Sequence, residues 1–140
     1  MIRPFTGLVL AAALLAAPPA FAANLRVQVQ GIASSTGQLR VALYRAEGFP
    51  HEEDALAVQA LSITGPEMSV TFSDLTPGRY AVIAYHDEDG NGRMNRFLGM
   101  IPTEPYGLSN NPTLSGPPKF EQAAVSVEEP ESVIEVRLLD

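Results

Sequence analysis

The sequence contains no cysteine, and this absence removes several kinds of chemistry at once. Disulfides, thiol catalysis, iron–sulfur clusters and thiolate zinc sites are excluded, and so is the bacterial lipid anchor that requires a cysteine after the signal peptide. Basic side chains are also scarce, since 9 Lys and Arg against 16 Asp and Glu give a formal net charge of −7. Nucleic acid and anionic membranes are therefore not expected as partners, because both are bound through clustered basic side chains.

Long apolar runs are missing too, and no stretch reaches the roughly 18 residues that a membrane-spanning helix needs. Residues 8–17 form an apolar run of ten, which would span only about 15 Å as a helix. Arg3 precedes this run, and Ala20-Phe21-Ala22 follows it. A basic start, an apolar middle and an A-x-A end are typical of a secretory signal peptide. We predict cleavage after Ala22, although a buried N-terminal helix is the alternative interpretation.

Residues 23–140 are predicted to form a single domain that is periplasmic or secreted. Loss of Arg3 changes its formal net charge to −8, which is compatible with a soluble monomer. Hydrophobic residues make up 46% of the chain and charged residues 18%, a composition that favours a folded core over disorder. Twelve prolines and eleven glycines favour a fold with many turns over a helical bundle.

Alternation of apolar and polar residues with a period of two predicts β-strands in this domain. Seven such segments occur, and the first two are expected to form a meander or hairpin pair. Because a sheet with one apolar face must cover it with another layer, we predict an all-β fold: a seven-stranded antiparallel β-sandwich, immunoglobulin-like or transthyretin-like, with one long ordered loop. The predicted strands are 25–30, 37–44, 58–64, 68–72, 79–86, 123–127 and 132–138.

The strand predicted at 79–86 is apolar on both sides, so both of its faces need cover. One face is expected to pack on the opposing sheet, and the other under the 34-residue segment 87–120. Pro77-Gly78 just before the strand predicts a tight turn. The position of Tyr80 at the start of this strand is typical of a tyrosine corner, in which the tyrosine hydroxyl forms a hydrogen bond with the backbone of the preceding loop. The alternative role for Tyr80 is that of a catalytic acid.

An acidic turn opens the segment 87–120 and matches the first half of a calcium-binding loop. Asp87, Asp89 and Asn91 stand at positions 1, 3 and 5, and Gly92 stands at position 6. Oxygen side chains at these positions converge on one centre, and the glycine allows the sharp turn between them. The alternative is a plain turn, since Asp, Asn and Gly favour turns for backbone reasons alone.

The second half of the calcium pattern is incomplete. Asn95 falls at position 9, but position 12, where a bidentate glutamate is needed, is Leu98. A calcium ion would therefore need a further ligand from elsewhere, such as Glu104 or a carbonyl oxygen. We predict a weak site, with a dissociation constant on the order of 10⁻⁴ to 10⁻³ M, as in extracellular modules.

Only two histidines are present, His51 and His86, too few for a three-histidine zinc site. His51 lies in an acidic stretch and is predicted to be at the surface. His86 stands at a strand end beside acidic residues and could act as a general base with Asp87 or Glu104. No G-x-S-x-G nucleophile motif accompanies it, so a structural histidine that closes the strand is the alternative.

Several irregular motifs occur together in this chain, at 37–44 (GQLRVALY), 48–50 (GFP), 75–82 (LTPGRYAV), 86–92 (HDEDGNG), 97–99 (FLG), 102–111 (PTEPYGLSNN) and 117–120 (PPKF). With these motifs the chain resembles, from about residue 25 to 138, the bacterial exported family known as domain of unknown function 2141. Pro105 departs from the family, which more often has glycine there. The resemblance implies export and a common fold, and it implies no established activity.

A more distant resemblance is to transthyretin-like and carboxypeptidase regulatory-type sandwiches, which share the Pro-Gly-x-Tyr strand entry and the acidic Asn-Gly turn. Hydroxyisourate hydrolases have that fold class but end in Tyr-Arg-Gly-Ser, whereas this chain ends in VRLLD at 136–140. Fold analogy in any case does not transfer function. The expected function is a non-enzymatic binding or accessory module with an unknown protein or small-molecule partner. A small periplasmic enzyme using His86 and a purely structural envelope domain are the alternatives.

Overall fold

The computed structural model describes residues 22–94, 96–97 and 101–139, together with Gly7. The predicted signal peptide, 1–22, lies outside the described residues except for Gly7 and Ala22. The described part contains ten strands, one short α-helix and one turn of 3₁₀-helix at Glu52–Asp54. These elements are β1 (Ala23–Gln30), β2 (Gln38–Tyr44), β3 (Ala57–Ser62), β4 (Glu67–Leu75), β5 (Gly78–Asp87), β6 (Arg96–Phe97), β7 (Ile101–Pro102), β8 (Tyr106–Leu108), α1 (Phe120–Ala123), β9 (Val125–Val127) and β10 (Glu131–Arg137).

Two main sheets form the fold in the described part of the chain. A three-stranded sheet has the order β10–β1–β4. A five-stranded sheet has the order β3–β2–β5–β8, and β9 pairs with the first residues of β5 on the same side as β8. Strands β6 and β7 form a separate two-stranded ribbon. The fold is therefore all-β and sandwich-like, as the alternation predicts.

The prediction of seven antiparallel strands needs correction in three respects. Strand β10 pairs with β1 in parallel, β1 and β2 lie in different sheets and form no hairpin, and the short strands β6, β7 and β8 were not predicted. Alternation shows which side chains are buried but carries no information on strand direction or partner. Segments of two or three residues are too short to show a period of two.

The main core lies between the two sheets. Strand β1 contributes Leu25, Val27 and Val29, and β2 contributes Leu39 and Val41, all with 0% exposure. Burial alternates strictly along β1, as a period of two requires. Each such side chain stabilises the fold by about 1.5–3 kcal/mol when fully buried. Without disulfides, this packing is the main source of stability.

A second apolar cluster covers the outer face of the five-stranded sheet. Ala81 and Ile83 of β5 form it with Tyr44 of β2 and Leu108 of β8. The long segment contributes further partly buried side chains, which include Met94, Tyr106, Leu114 and Phe120, and Phe49 and Ala55 add to them from the connection before β3. Strand β5 is consequently buried continuously from Tyr80 to Asp87. This confirms the prediction that the segment 87–120 covers β5.

The start of β5 is fixed by a tyrosine corner. Tyr80 is 2% exposed and belongs to the main core, and its hydroxyl donates a hydrogen bond to the carbonyl oxygen of Thr76, four residues earlier. The predicted structural role of Tyr80 is confirmed.

Candidate cation site at the end of strand β5

Strand β5 ends on two buried polar residues whose side chains lie on opposite faces. Successive side chains of a strand alternate; Val82 and Ala84 face the main core, whereas Ala81 and Ile83 face the outer cluster. His86 therefore lies on the core side and Asp87 on the outer side. Asp87 is 0% exposed.

A second buried carboxylate lies beside Asp87 because of the pairing between β5 and β8. The register places Tyr85 opposite Tyr106, and the pairing continues one residue further, where the amide of His86 donates to the carbonyl oxygen of Pro105 at 2.9 Å. Glu104, 4% exposed, is the next residue along and comes to lie next to Asp87.

Three carboxylates meet at this point. Oxygen atoms of Asp87, Asp89 and Glu104 all lie within 4.8 Å of one another. Asp87 and Glu104 are buried, and Asp89 is exposed at the mouth of the group. Carboxylates this close repel one another, and burial strengthens the repulsion. Oxygen ligands of this type suit a hard divalent cation.

The two oxygens of Asp87 differ in their hydrogen bonding. Oδ2 accepts a hydrogen bond from the amide of Gly92 at 2.8 Å, and Oε2 of Glu104 accepts one from the amide of Glu88 at 2.6 Å. Oδ1 of Asp87 is buried and has no hydrogen-bond partner among the described residues. A buried polar atom left unpaired costs about 1–3 kcal/mol, so this oxygen is suited to a ligand that the protein itself does not supply.

Local hydrogen bonds shape the turn around the group. Asp89 Oδ1 accepts from the amide of Asn91 at 3.2 Å, and Asn91 Oδ1 accepts from the amide of Arg93 at 2.9 Å. Gly90 and Gly92 have φ of 68° and 75°, left-handed values that glycine adopts without a steric penalty. The turn thus combines the predicted backbone role of its residues with the clustering of their carboxylates.

The predicted ligands are only partly brought together. Asp87, Asp89 and Glu104 converge, and Asn91 lies in the same turn with its side-chain oxygen bonded to the amide of Arg93. Asn95 lies outside the described residues. Metal binding by these residues stays a prediction.

The two histidines occupy different environments. His51 is exposed, as predicted. His86 is 1% exposed, and its Nε2 lies 2.6 Å from the carbonyl oxygen of Thr36. Its ring therefore faces away from Asp87 across the strand, and the arrangement gives no support to a His86–Asp87 acid–base pair. Nδ1 of His86 has no hydrogen-bond partner among the described residues.

Sequence reasoning missed a polar group on the same outer face. Arg40 of β2 lies opposite Tyr85 of β5, and both bind Glu52 of the 3₁₀ turn: Arg40 Nη2 lies 2.8 Å from Glu52 Oε1, and the Tyr85 hydroxyl donates to Glu52 Oε2 at 3.0 Å. Burial lowers the pKa of Arg40, but the hydrogen bond and charge of Glu52 outweigh this effect and raise it. Burial, with the charge of Glu52, raises the pKa of Tyr85.

This group lies close to the acidic turn, since Arg40 Nη1 would be 3.8 Å from a Cβ placed on Gly92. Its positive charge is nevertheless paired with Glu52 rather than with Asp87. No pattern in the sequence links positions 40, 52 and 85, so only the register of β2 on β5 reveals the group.

A family model described as an uncharacterized protein conserved in bacteria, domain of unknown function 2141, matches residues 27–135. The chain belongs to this family. The match runs from β1 into β10 and includes Asp87, Asp89 and Glu104, and it confirms the resemblance drawn from the sequence motifs. No curated protein and no solved structure matches the chain. The likeness to transthyretin-like sandwiches stays a prediction.

No helix is long and apolar enough to cross a membrane in the part of the chain that the structure describes, residues 22–94, 96–97 and 101–139.

Proposed function

We propose that this protein is an exported, non-enzymatic binding or accessory module that binds a calcium ion between Asp87, Asp89 and Glu104. Two observations on Asp87 carry the proposal: its buried Oδ1 has no hydrogen-bond partner among the described residues, and its carboxylate has an oxygen within 4.8 Å of oxygens of Asp89 and Glu104. A cation there would satisfy this oxygen and offset the repulsion between two buried carboxylates.

The donor set favours calcium over other ions. All three side chains offer oxygen, with no sulfur or imidazole among them, and His86 faces the other side of β5, so the set does not suit zinc. Calcium accepts irregular coordination and can add backbone carbonyls and water, whereas magnesium demands near-octahedral geometry. The irregular placement of the ligands, on a strand end, a turn and a second segment, suits calcium.

The ion would link the two ends of the loop between β5 and β8. Asp87 and Asp89 stand where the chain leaves β5, and Glu104 stands where it returns to pair with β5 as β8. The ribbon β6–β7 lies between these points. Calcium would hold the two ends of this loop together, and the loop would serve as the surface that binds an unknown protein or small molecule.

Export is part of the proposal and rests on the leader pattern in residues 1–22. In support, β1 begins at Ala23, one residue after the predicted cleavage site, so removal of the leader would leave the folded strand intact. Extracellular and periplasmic calcium concentrations are also compatible with a weak site of about 10⁻⁴ to 10⁻³ M.

The proposal is tested by the thermal midpoint of the purified protein in chelator, in about 2 mM calcium and in magnesium. For a dissociation constant of about 0.1 mM, mass action predicts roughly 1.8 kcal/mol of stabilisation, or a rise of several degrees for a domain of this size. Magnesium should give a smaller rise.

Variants distinguish this site from general charge screening. Asp87→Asn and Glu104→Gln should lose the calcium response, because each removes a buried ligand charge. Glu88→Gln serves as the matched control, since the exposed Glu88 side chain lies in the same turn but outside the carboxylate group; it should keep the response. An equal calcium response in Asp87→Asn and the native protein would refute the proposal.

A further inference from the structure

Strand β3 forms an open edge of the five-stranded sheet. In the described part of the chain β3 has β2 as its one strand neighbour. An edge strand presents unpaired backbone N–H and C=O groups, which can pair with another chain. Natural proteins protect such edges with charged side chains, proline, bulges or covering segments.

Three other edges, those of β10, β8 and β4, carry such protection. The side-chain amide of Asn111 bonds both the carbonyl oxygen of Glu135 and the amide of Arg137, at 3.0 and 2.9 Å, and so closes the edge of β10. Strand β8 forms a bridge with Leu139. Strand β4 carries exposed acidic residues at 67 and 74, and Gln59 donates to its Thr71 carbonyl oxygen at 2.8 Å.

The sequence of β3 carries neither charged side chains nor proline. No charged residue occurs from Ala55 to Gly65, and no proline interrupts β3 itself. Two of its outward-facing side chains form an apolar stripe: Leu56, just before the strand, is 47% exposed, and Val58 is 37% exposed. An uncharged edge with exposed apolar side chains is suited to pairing with another strand.

We propose that β3 pairs in antiparallel fashion with β3 of a second copy of this chain, so that two five-stranded sheets join into one. The absence of charge along β3 favours a second copy of the chain as the pairing partner. Antiparallel self-pairing of an uncharged strand places no like charges opposite each other, and it satisfies the two-fold symmetry of most homodimers. Two copies with a net charge of −7 repel each other, and pairing through an uncharged strand adds no further repulsion at the contact.

The length of the strand determines the strength of the dimer. Six residues of edge form a contact below the size of a standard stable interface, so association should be weak and visible at high protein concentration. Because like net charges oppose association, added salt should strengthen the dimer by screening them.

Sedimentation velocity of the purified protein in chelator tests the proposal independently of calcium binding. Over about 20–500 µM, a range suited to a weak interface, the dimer fraction should rise with concentration and with salt. Amide hydrogen exchange should show protection of residues 57–62 that increases over the same range. A monomer throughout, or a dimer whose protected amides lie elsewhere, overturns the proposal.

A pair of matched variants locates the interface. Val58→Lys places a charge on the pairing strand of each copy, a change that protects natural sheet edges, and should weaken association about fivefold. Val133→Lys is the control, since Val133 is also exposed, at 47%, and lies on β10, whose edge Asn111 closes. Both valines are exposed, so both variants should fold. Equal weakening by the two substitutions would contradict the assignment to β3.

Discussion

The two ends of strand β5 each bury a polar side chain, but the two side chains differ in whether their hydrogen bonds are satisfied. At its start, Tyr80 is buried and its hydroxyl is satisfied by the carbonyl oxygen of Thr76. At its end, Asp87 is buried just as fully, but its Oδ1 has no partner among the described residues, and its carboxylate lies beside those of Asp89 and Glu104. A satisfied buried group fixes a fold, whereas an unsatisfied one destabilises it unless a ligand supplies the partner. The first end is therefore structural, and the second is where we expect a ligand.

The largest effect is expected where the end of β5 contacts the turn before β2. Gly37 has a φ of 74°, and a Cβ on it would overlap the carbonyl oxygen of Asp87. Gly37→Ala should destabilise the protein by about 2–5 kcal/mol, since left-handed backbone costs about 1–2 kcal/mol and forced displacement adds about 1–3 kcal/mol. Urea unfolding measures this loss.

Gly90→Ala is the control for backbone conformation, because Gly90 also has a positive φ, of 68°, but no described residue lies within 4 Å of its Cβ position. This variant should lose only about 1–2 kcal/mol. Equal losses in the two alanine variants would show that the close approach at Asp87 contributes nothing to stability.

A smaller effect is expected at the start of β5. Tyr80→Phe removes one hydrogen bond and should cost about 1 kcal/mol in urea unfolding. The two ends of β5 are about 20 Å apart along the strand, and distant sites are additive. Calcium should therefore stabilise Tyr80→Phe as much as it stabilises the native protein. A diminished calcium response in this variant would mean that the two ends are coupled.

The smallest effect concerns alkaline pH. Tyr85 has a raised pKa because of burial and the charge of Glu52, so the unfolded chain releases this proton first, at about pH 10. Its contribution is fully present below that pH and is lost as the pH rises further. Tyr85→Phe should cost less than about 1 kcal/mol near pH 7, and the difference from the native protein should shrink above pH 10 in unfolding titrations. A constant difference across that range would contradict the assignment.

The sequence predicted the parts of the fold that depend on side-chain alternation. β1 and β5 show their buried faces directly, and the Pro-Gly-x-Tyr entry predicted the corner at Tyr80. Pairing was not predictable in the same way: β1 is joined to β10 in parallel across almost the whole length of the domain, and no local pattern records that contact. The ribbon β6–β7 and strand β8 are too short for alternation to show.

The candidate site was likewise predictable only where its residues lie close together in the sequence. Asp87 and Asp89 could be predicted together because their spacing in one turn brings their oxygens together. Glu104 could be named only as a ligand from elsewhere, since its position depends on the register of β8 on β5. The pairing of Arg40 with Glu52 and Tyr85 depends in the same way on the register of β2 on β5 and on the turn before β3.

Equilibrium dialysis of the purified protein against radioactive calcium tests the central claim most directly, because it counts bound ions without relying on stability. The account predicts one ion per chain with a dissociation constant of about 10⁻⁴ to 10⁻³ M, retained in Glu88→Gln and lost in Asp87→Asn. No bound calcium at millimolar concentration, or the same binding in Asp87→Asn, would contradict the account.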